Sequence, residues 1–162
     1  RINLLQEWVG YVLTPHNDLQ RFICLEGEGG NGKTVFFAAL EAVIGGENVS
    51  HVALEDFGGR FDLFSTIGKA VNIAADVGEL DKVAEGKLKS FTGGDTMYFD
   101  RKGVDPVSAR PTAKMMCAWN NRPHLRDRSS GLWRRMILVP FERQILASER
   151  VTGMDRPAWW KS

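Results

Sequence analysis

The chain has 162 residues, with 21 lysines and arginines against 20 aspartates and glutamates, which gives a formal net charge of +1. This length supports one domain with a substantial core. The balance of charge excludes a surface that is basic throughout, so any nucleic-acid contact is expected on a local patch. Both cysteines lie in apolar runs, and neither a signal peptide nor a membrane-spanning run is evident, so we expect a soluble protein of a reducing, cytoplasmic compartment without membrane partners.

The first 20 residues predict a helix and a linker. Apolar residues recur at helical spacing from Ile2 to Leu13, and the pattern stops before Pro15. Such a helix could dock to a neighbouring domain or subunit, or it could cover one face of this domain's own sheet. The sequence does not distinguish these two alternatives.

Residues 27–34, GEGGNGKT, fit the phosphate-loop pattern G-x-x-x-x-G-K-[ST]. An apolar strand precedes them and a helical pattern follows, which is the order that a phosphate-binding loop requires. Glycines accept positive φ and let backbone N–H groups close around an oxyanion. We therefore expect Lys33 to reach the terminal phosphates of ATP and Thr34 to ligate Mg²⁺, the alternative being a glycine-rich turn without a ligand. The residues predicted to contact the nucleotide are Gly27, Glu28, Gly29, Gly30, Asn31, Gly32, Lys33 and Thr34.

Two acidic residues lie at the end of the next buried strand, which covers residues 68–76, and just beyond it. Asp76 ends this strand and is a candidate for holding Mg²⁺ beside the loop. Glu79, three residues further on, could polarise the attacking water. Alternatively, one or both could cap the helix that is expected to begin near Asp81.

Residues 92–107 predict a β-hairpin with Arg101 and Lys102 at its tip. Cations at this position could contact nucleic-acid phosphates, which gives affinity without sequence preference. They could equally be solvated charges of an ordinary loop.

A third buried strand, residues 113–119, ends at Asn120 and Asn121. An amide at this point could sense the γ-phosphate or its attacking water, or the pair could form a turn. Arg134 and Arg135 belong to an arginine-rich stretch before a last strand, residues 136–141. One of these arginines could stabilise the transferred phosphoryl group, in cis or from a neighbouring subunit, or they could form surface ion pairs.

Four segments in this order resemble the superfamily-3 helicases. More narrowly, they resemble the C-terminal ATPase domain of phage and plasmid primase-helicases, the group related to the poxvirus primase-helicase. The segments are GEGGNGKT at 27–34, GKAVNIAAD at 68–76, LKSFTGGD at 88–95, and AWNNRP with GLWRRMILVPF, ending at Phe141.

The resemblance implies that Lys33 and Thr34 bind ATP phosphate and Mg²⁺, that Asp76 is the acid of the second motif, and that Asn120 is the sensor asparagine. Many members of the superfamily carry two adjacent acids in that second motif. Here Val77 follows Asp76, which leaves the identity of the water-polarising acid open.

The resemblance also implies an assembly and its partners. Arg134 or Arg135 would be the arginine finger given to the next subunit's ATP, in a homo-hexameric ring with ATP sites between subunits. Arg101 and Lys102 would contact single-stranded or forked DNA inside the ring channel. A primase domain is expected N-terminal to this sequence and outside it.

The resulting expectation is a three-layer α/β P-loop NTPase domain of AAA+-like type, with a mainly parallel five-stranded sheet, helices on both faces and a basic β-hairpin. The sensor strand should lie between the loop strand and the acid strand. The expected divisions are residues 1–20, 21–141 and a truncated C-terminal extension, 142–162. The expected function is an ATP-hydrolysing DNA helicase or translocase that acts in replication; the alternatives are a small-molecule kinase and an ATP-bound assembly module without turnover.

Overall fold

A computed structural model describes residues 1–78, 80–120 and 130–144. Its helices are α1 (Ile2–Val12), α2 (Lys33–Ile44), α3 (Lys82–Gly93) and α4 (Ser130–Trp133). Its strands are β1 (Phe22–Glu26), β2 (Val49–Ser50), β3 (Val71–Ala74), β4 (Met97–Arg101), β5 (Val104–Ala109), β6 (Lys114–Trp119) and β7 (Met136–Pro140).

Five of the strands form a parallel sheet in the order β2-β3-β6-β1-β7. The expected position of the sensor strand is confirmed, because β6 pairs with β3 on one side and with β1 on the other. The carboxyl ends of parallel strands meet at one edge of a sheet, where ligands of open α/β sheets bind. The segments that follow β1, β3 and β6 therefore converge there.

Helices cover both faces of this sheet, as expected for three layers. Alternate residues of β1 point to opposite faces, and each face has its own buried cluster. On one face, α1 and α2 pack through Trp8, Val12, Phe37, Leu40 and Ile44. On the other, α3 packs with two short 3₁₀ turns, Glu55–Gly58 and Asp62–Thr66. Covering the sheet is thus what α1 does in this structure.

The start of α3 is set by Asp81, whose side chain accepts a hydrogen bond from the Ala84 N–H at 2.7 Å. This is the usual N-cap arrangement, in which a carboxylate satisfies an otherwise unpaired amide of the first turn. The helix ends at Gly94, where φ is +71°. Because Asp81 fills the capping position, Asp76 is not needed for it.

Strands β4 and β5 form the predicted hairpin as a separate antiparallel pair beside the central sheet. Phe99 is buried and anchors β4, and Gly103 makes the turn with φ of +74°. Within the three described ranges, no helix has the length and apolar character needed to cross a membrane. The divisions expected after residues 20 and 141 remain predictions.

Candidate functional site

The loop between β1 and α2 takes a backbone path that suits glycine. Gly29, Gly30 and Gly32 have φ of +100°, +63° and +87°, a region that other residues enter only with strain. Helix α2 starts at Lys33, directly after the loop. The unpaired N–H groups of its first turn and the helix dipole make this end favourable for an anion.

Gly27 is required for a different reason, which is space. A Cβ atom there would lie 1.9 Å from Asn31 Nδ2 and 2.4 Å from the Phe141 carbonyl oxygen. The Asn31 amide donates to that carbonyl at 2.7 Å, and the Phe141 N–H donates to the Glu26 carbonyl at 2.7 Å. The loop is thereby fastened to the end of β7.

Lys33 lies at the centre of the site, and only 7% of it is exposed. Its ammonium donates to the Gly27 carbonyl at 2.5 Å, to Asn31 Oδ1 at 3.0 Å and to Asn120 Oδ1 at 3.1 Å. These bonds use all three donors of the ammonium group. The sheet order thus brings the asparagine after β6 into contact with the loop lysine, as the sequence predicts.

Burial lowers the pKa of Lys33, and the negative charge of Asp76 partly offsets this by raising it. Asp76 is exposed just beyond β3, and Thr34 is exposed in the first turn of α2. A carboxylate and a hydroxyl are the hard oxygen donors that suit Mg²⁺, which is usually held by one or two carboxylates, waters and the substrate's phosphates. The two predicted Mg²⁺ ligands therefore fit that ion in their chemistry.

For three other residues singled out from the sequence, the structure shows little or nothing about a role in the site. Glu28 is an exposed residue of the loop. Glu79, the candidate for polarising water, and Asn121, the second asparagine, lie outside the described residues. Which acid polarises water is therefore still a prediction.

The two candidate finger arginines lie at the opposite edge of the sheet from the loop. The Arg135 carbonyl accepts from the Phe22 N–H at 2.9 Å, at the beginning of β1, whereas the loop follows its end. The five residues of β1 separate the two edges by roughly 16 Å at about 3.3 Å per residue. This placement argues against contact with phosphates bound by the same chain's loop. A role in trans and a role in surface ion pairs both remain predictions.

The two arginines also differ from each other. The Arg135 guanidinium is partly buried, and its Nη1 donates to the Gly131 carbonyl at 2.9 Å. Arg134 is exposed. Arg135 therefore holds the short helix α4 to the start of β7, while Arg134 is available to another molecule.

At the hairpin, the two predicted DNA contacts are not equivalent. The Arg101 guanidinium lies 5.3 Å from the centre of the Phe64 ring, a cation–π contact, whereas Lys102 is exposed at the tip. Tyr98, on β4, is 77% exposed and was not singled out from the sequence. The signal was present, because Tyr98 alternates with the buried residues Met97 and Phe99.

Residues 25–135 match the family described as "Family of unknown function (DUF5906)". Two viral proteins are similar in sequence. "Putative helicase 121R" of Invertebrate iridescent virus 3 is 25% identical over 135 residues, covering 76% of this chain and 14% of that protein. "Putative helicase L207/L206" of Acanthamoeba polyphaga mimivirus is 24% identical, covering 91% of this chain and 17% of that protein.

Solved structures share the fold at low sequence identity. The apo structure of the NrS-1 C-terminal region superposes with a TM-score of 0.70 at 15% identity, covering 94% of this chain and 36% of that one. The JCV helicase superposes with a TM-score of 0.61 at 14% identity, covering 87% of this chain and 40% of that one. The chain thus spans only a minor part of each of these proteins.

The resemblance inferred from the four sequence segments is confirmed, because both viral relatives carry helicase names and the domain shares its P-loop fold with the JCV helicase. The matched stretch runs from the last residues of β1 to the arginine pair before β7 and covers most of the chain. It includes the phosphate loop, Asp76, the hairpin and Asn120. The chain belongs to the DUF5906 family, a family of unknown function.

Proposed function

We propose that this chain is the ATP-hydrolysing motor domain of a DNA helicase or translocase, of the kind found in phage and plasmid primase-helicases. The observation that carries the proposal is the Lys33 ammonium, which joins the phosphate loop to Asn120 at 3.1 Å. A loop lysine beside an amide after the neighbouring strand can hold the terminal phosphate and orient the attacking water, as in ATP hydrolysis. The helicase names of both viral relatives support the same reading.

Each residue of the site has its own role in ATP hydrolysis in this proposal. A phosphate anion is a stronger partner for Lys33 than the neutral oxygens of Asn31 and Asn120, so bound ATP would replace them. Asn120, released from the lysine, can orient the attacking water through its amide. Mg²⁺, when held by Thr34 and Asp76, supplies charge neutralisation at the phosphates.

Arg134 completes the site from a neighbouring copy of the chain. It is the exposed member of the arginine pair, and it lies at the edge opposite to its own loop. A head-to-tail ring would place the Arg134 edge of one subunit against the loop edge of the next. A guanidinium positioned there would stabilise the charge that spreads over the transferred phosphoryl group.

The hairpin is the DNA-contacting element in this proposal. Lys102 at its tip can pair with backbone phosphates, and the exposed ring of Tyr98 can stack on a base. Many proteins hold single strands without sequence preference by combining cations for the phosphates with exposed aromatic rings for the bases, and this hairpin carries one of each.

The test is ATP hydrolysis across protein concentration, with and without single-stranded DNA, together with mixing of two inactive variants. Lys33→Ala removes the loop cation, and Arg134→Ala removes the finger. Each variant alone should be inactive, but an equal mixture should recover activity, since the intact loop of one can meet the intact arginine of the other. Random mixing in a closed ring would restore roughly a quarter of the interfaces.

The control is Lys82→Ala, which removes an exposed cation on α3 and should behave as wild type. Full inactivity of the mixture, or a wild-type rate per molecule that is independent of concentration, would contradict a shared site. Transfer of phosphate to an acceptor molecule instead of water would select the kinase reading. Assembly with ATP but without turnover would select the assembly module.

A further inference from the structure

The segment 55–66 joins the acidic loop after β3 to the hairpin, and we call it the bridging segment. At one end, Glu55 Oε1 accepts a hydrogen bond from the Gly78 N–H. Gly78 follows Asp76 by two residues. A Cβ atom at Gly78 would lie 2.7 Å from Glu55 Oε1, which shows how closely this carboxylate approaches the loop. The loop that carries the proposed Mg²⁺ ligand is therefore held by Glu55.

The other end of the bridging segment contacts the hairpin twice. Arg60 Nε lies 3.6 Å from Asp100 Oδ2 on β4. Next to this ion pair, the Arg101 guanidinium lies 5.3 Å from the ring centre of Phe64. Both contacts are made to the end of β4, immediately before the exposed tip residue Lys102.

Between these ends, the bridging segment is packed against α3. Phe57 is fully buried and meets Phe91 of α3 edge-on, with ring centres 5.3 Å apart. Lys87 of α3 donates to the Gly59 carbonyl at 2.8 Å. A displacement at one end is therefore passed on, because close-packed elements transmit strain instead of absorbing it.

We infer that Glu55 and Arg60 are positioning residues that couple the Asp76 loop to the DNA-contacting hairpin. Glu55 acts through the Gly78 amide, and Arg60 acts through Asp100. This inference rests on the proposed function, in which nucleotide binds at Lys33 and Asp76. A change in the acidic loop on nucleotide binding would shift the bridging segment and reach the hairpin through direct contacts.

The test is amide hydrogen exchange of the chain with and without a slowly hydrolysed ATP analogue and Mg²⁺. In wild type, the analogue should slow exchange in the loop, residues 27–34, and change exchange in the hairpin, residues 97–109, by roughly three- to tenfold. Glu55→Ala should keep the loop response and lose the hairpin response. Glu55→Gln is the matched control, because its amide oxygen still accepts from the Gly78 N–H, and it should keep both.

Arg60→Ala provides a second test that does not disturb the core, since the Arg60 side chain is 74% exposed. It should also abolish the hairpin response while the loop response persists. If the two residues act in one link, the double variant Glu55→Ala, Arg60→Ala should lose no more of the hairpin response than either single variant does.

The outcomes separate the inference from the proposed function. If the analogue does not slow amide exchange in the loop of the wild type, the proposed nucleotide site is refuted, and the inference fails with it. A loop response without a hairpin response in wild type overturns the inference alone, as does a hairpin response that survives in both Glu55→Ala and Arg60→Ala. A hairpin response that is partly kept in each single variant and lost further in the double variant would overturn the single link.

Discussion

Two lysines are buried at opposite edges of the central sheet, and their ammonium groups have different hydrogen-bond partners. Lys33 is 7% exposed just after the phosphate loop, and Lys114 is fully buried at the first position of β6. Burial lowers the pKa of both, and a carboxylate partly offsets this in each case, Asp76 for the first and Asp18 for the second. By burial and charge alone, the two residues are alike.

Their partners distinguish them. Lys33 donates to the Gly27 carbonyl and to the side-chain oxygens of Asn31 and Asn120. Lys114 donates to the backbone carbonyls of Thr14 and Thr112 and lies 4.9 Å from the ring centre of Tyr11. The Asn120 side chain can rotate away and release the ammonium to a ligand, whereas carbonyls of packed segments stay in place. A buried lysine is thus open to a ligand where its partners can be exchanged.

The comparison predicts its largest effect for Lys33→Ala. Loss of the loop cation should lower DNA-stimulated ATP hydrolysis by about 10²–10³-fold, the range found when one charge-stabilising group is removed from an active site. The unfolding free energy should change by less than about 1 kcal/mol, because removal of the side chain also ends the cost of burying its charge. Steady-state turnover and urea denaturation measure the two quantities. Turnover that survives this substitution would refute the proposed mechanism.

The converse effect is expected for Lys114→Ala. The substitution leaves a cavity beneath α1 and removes the donor to the Thr14 and Thr112 carbonyls, so the unfolding free energy should fall by about 2–4 kcal/mol. Nucleotide affinity should be unchanged at temperatures where the variant is folded. Lys114→Met, which keeps most of the buried stem, should lose less. If Lys114→Ala unfolds at the same urea concentration as wild type, this lysine does not hold α1 in place.

The smallest effect concerns pH. Only the protonated Lys33 attracts phosphate, and burial lowers its pKa. Nucleotide affinity should therefore weaken with rising pH, and the decline should begin at a lower pH than for a lysine of ordinary pKa. Lys33→Arg is the matched control, since a guanidinium stays charged as pH rises. Titration of a fluorescent ATP analogue at several pH values measures the slope, and equal slopes for wild type and Lys33→Arg would show that the Lys33 charge is constant.

Patterns local in sequence predict much of this architecture. The apolar run before residue 27 and the helical pattern after residue 33 establish the strand, loop and helix around the phosphate site. The buried strands before Asp76 and Asn120 were recognisable because both faces of a central parallel strand are covered, which makes each strand almost wholly apolar. The expected place of the sensor strand, between the loop strand and the acid strand, is not contained in periodicity alone, and the positions of β2 and β7 in the sheet were not predicted.

Contacts between distant segments could not be predicted in this way. The burial of Lys114 is one case, since a lysine at the start of an apolar strand suggests solvent exposure, yet α1 and its linker cover it. The Glu55–Gly78 and Arg60–Asp100 contacts are others, because they join three segments without a shared motif. The different burial of Arg134 and Arg135 depends on how α4 meets β7. In each case, packing of separate elements decides what the side chain does.

The bond between Asn31 and Phe141 has a consequence for biosynthesis, since it joins residues 110 positions apart. Strand β1 likewise lies between two strands from the second half of the chain, with Ile23 opposite Met116 and Ile137. A ribosome that adds about 5–20 residues per second needs roughly 5–20 s to travel from one partner to the other. The phosphate loop, although encoded in eight consecutive residues, is therefore completed late. A nascent chain should gain its proposed nucleotide site only after residue 141 has left the exit tunnel.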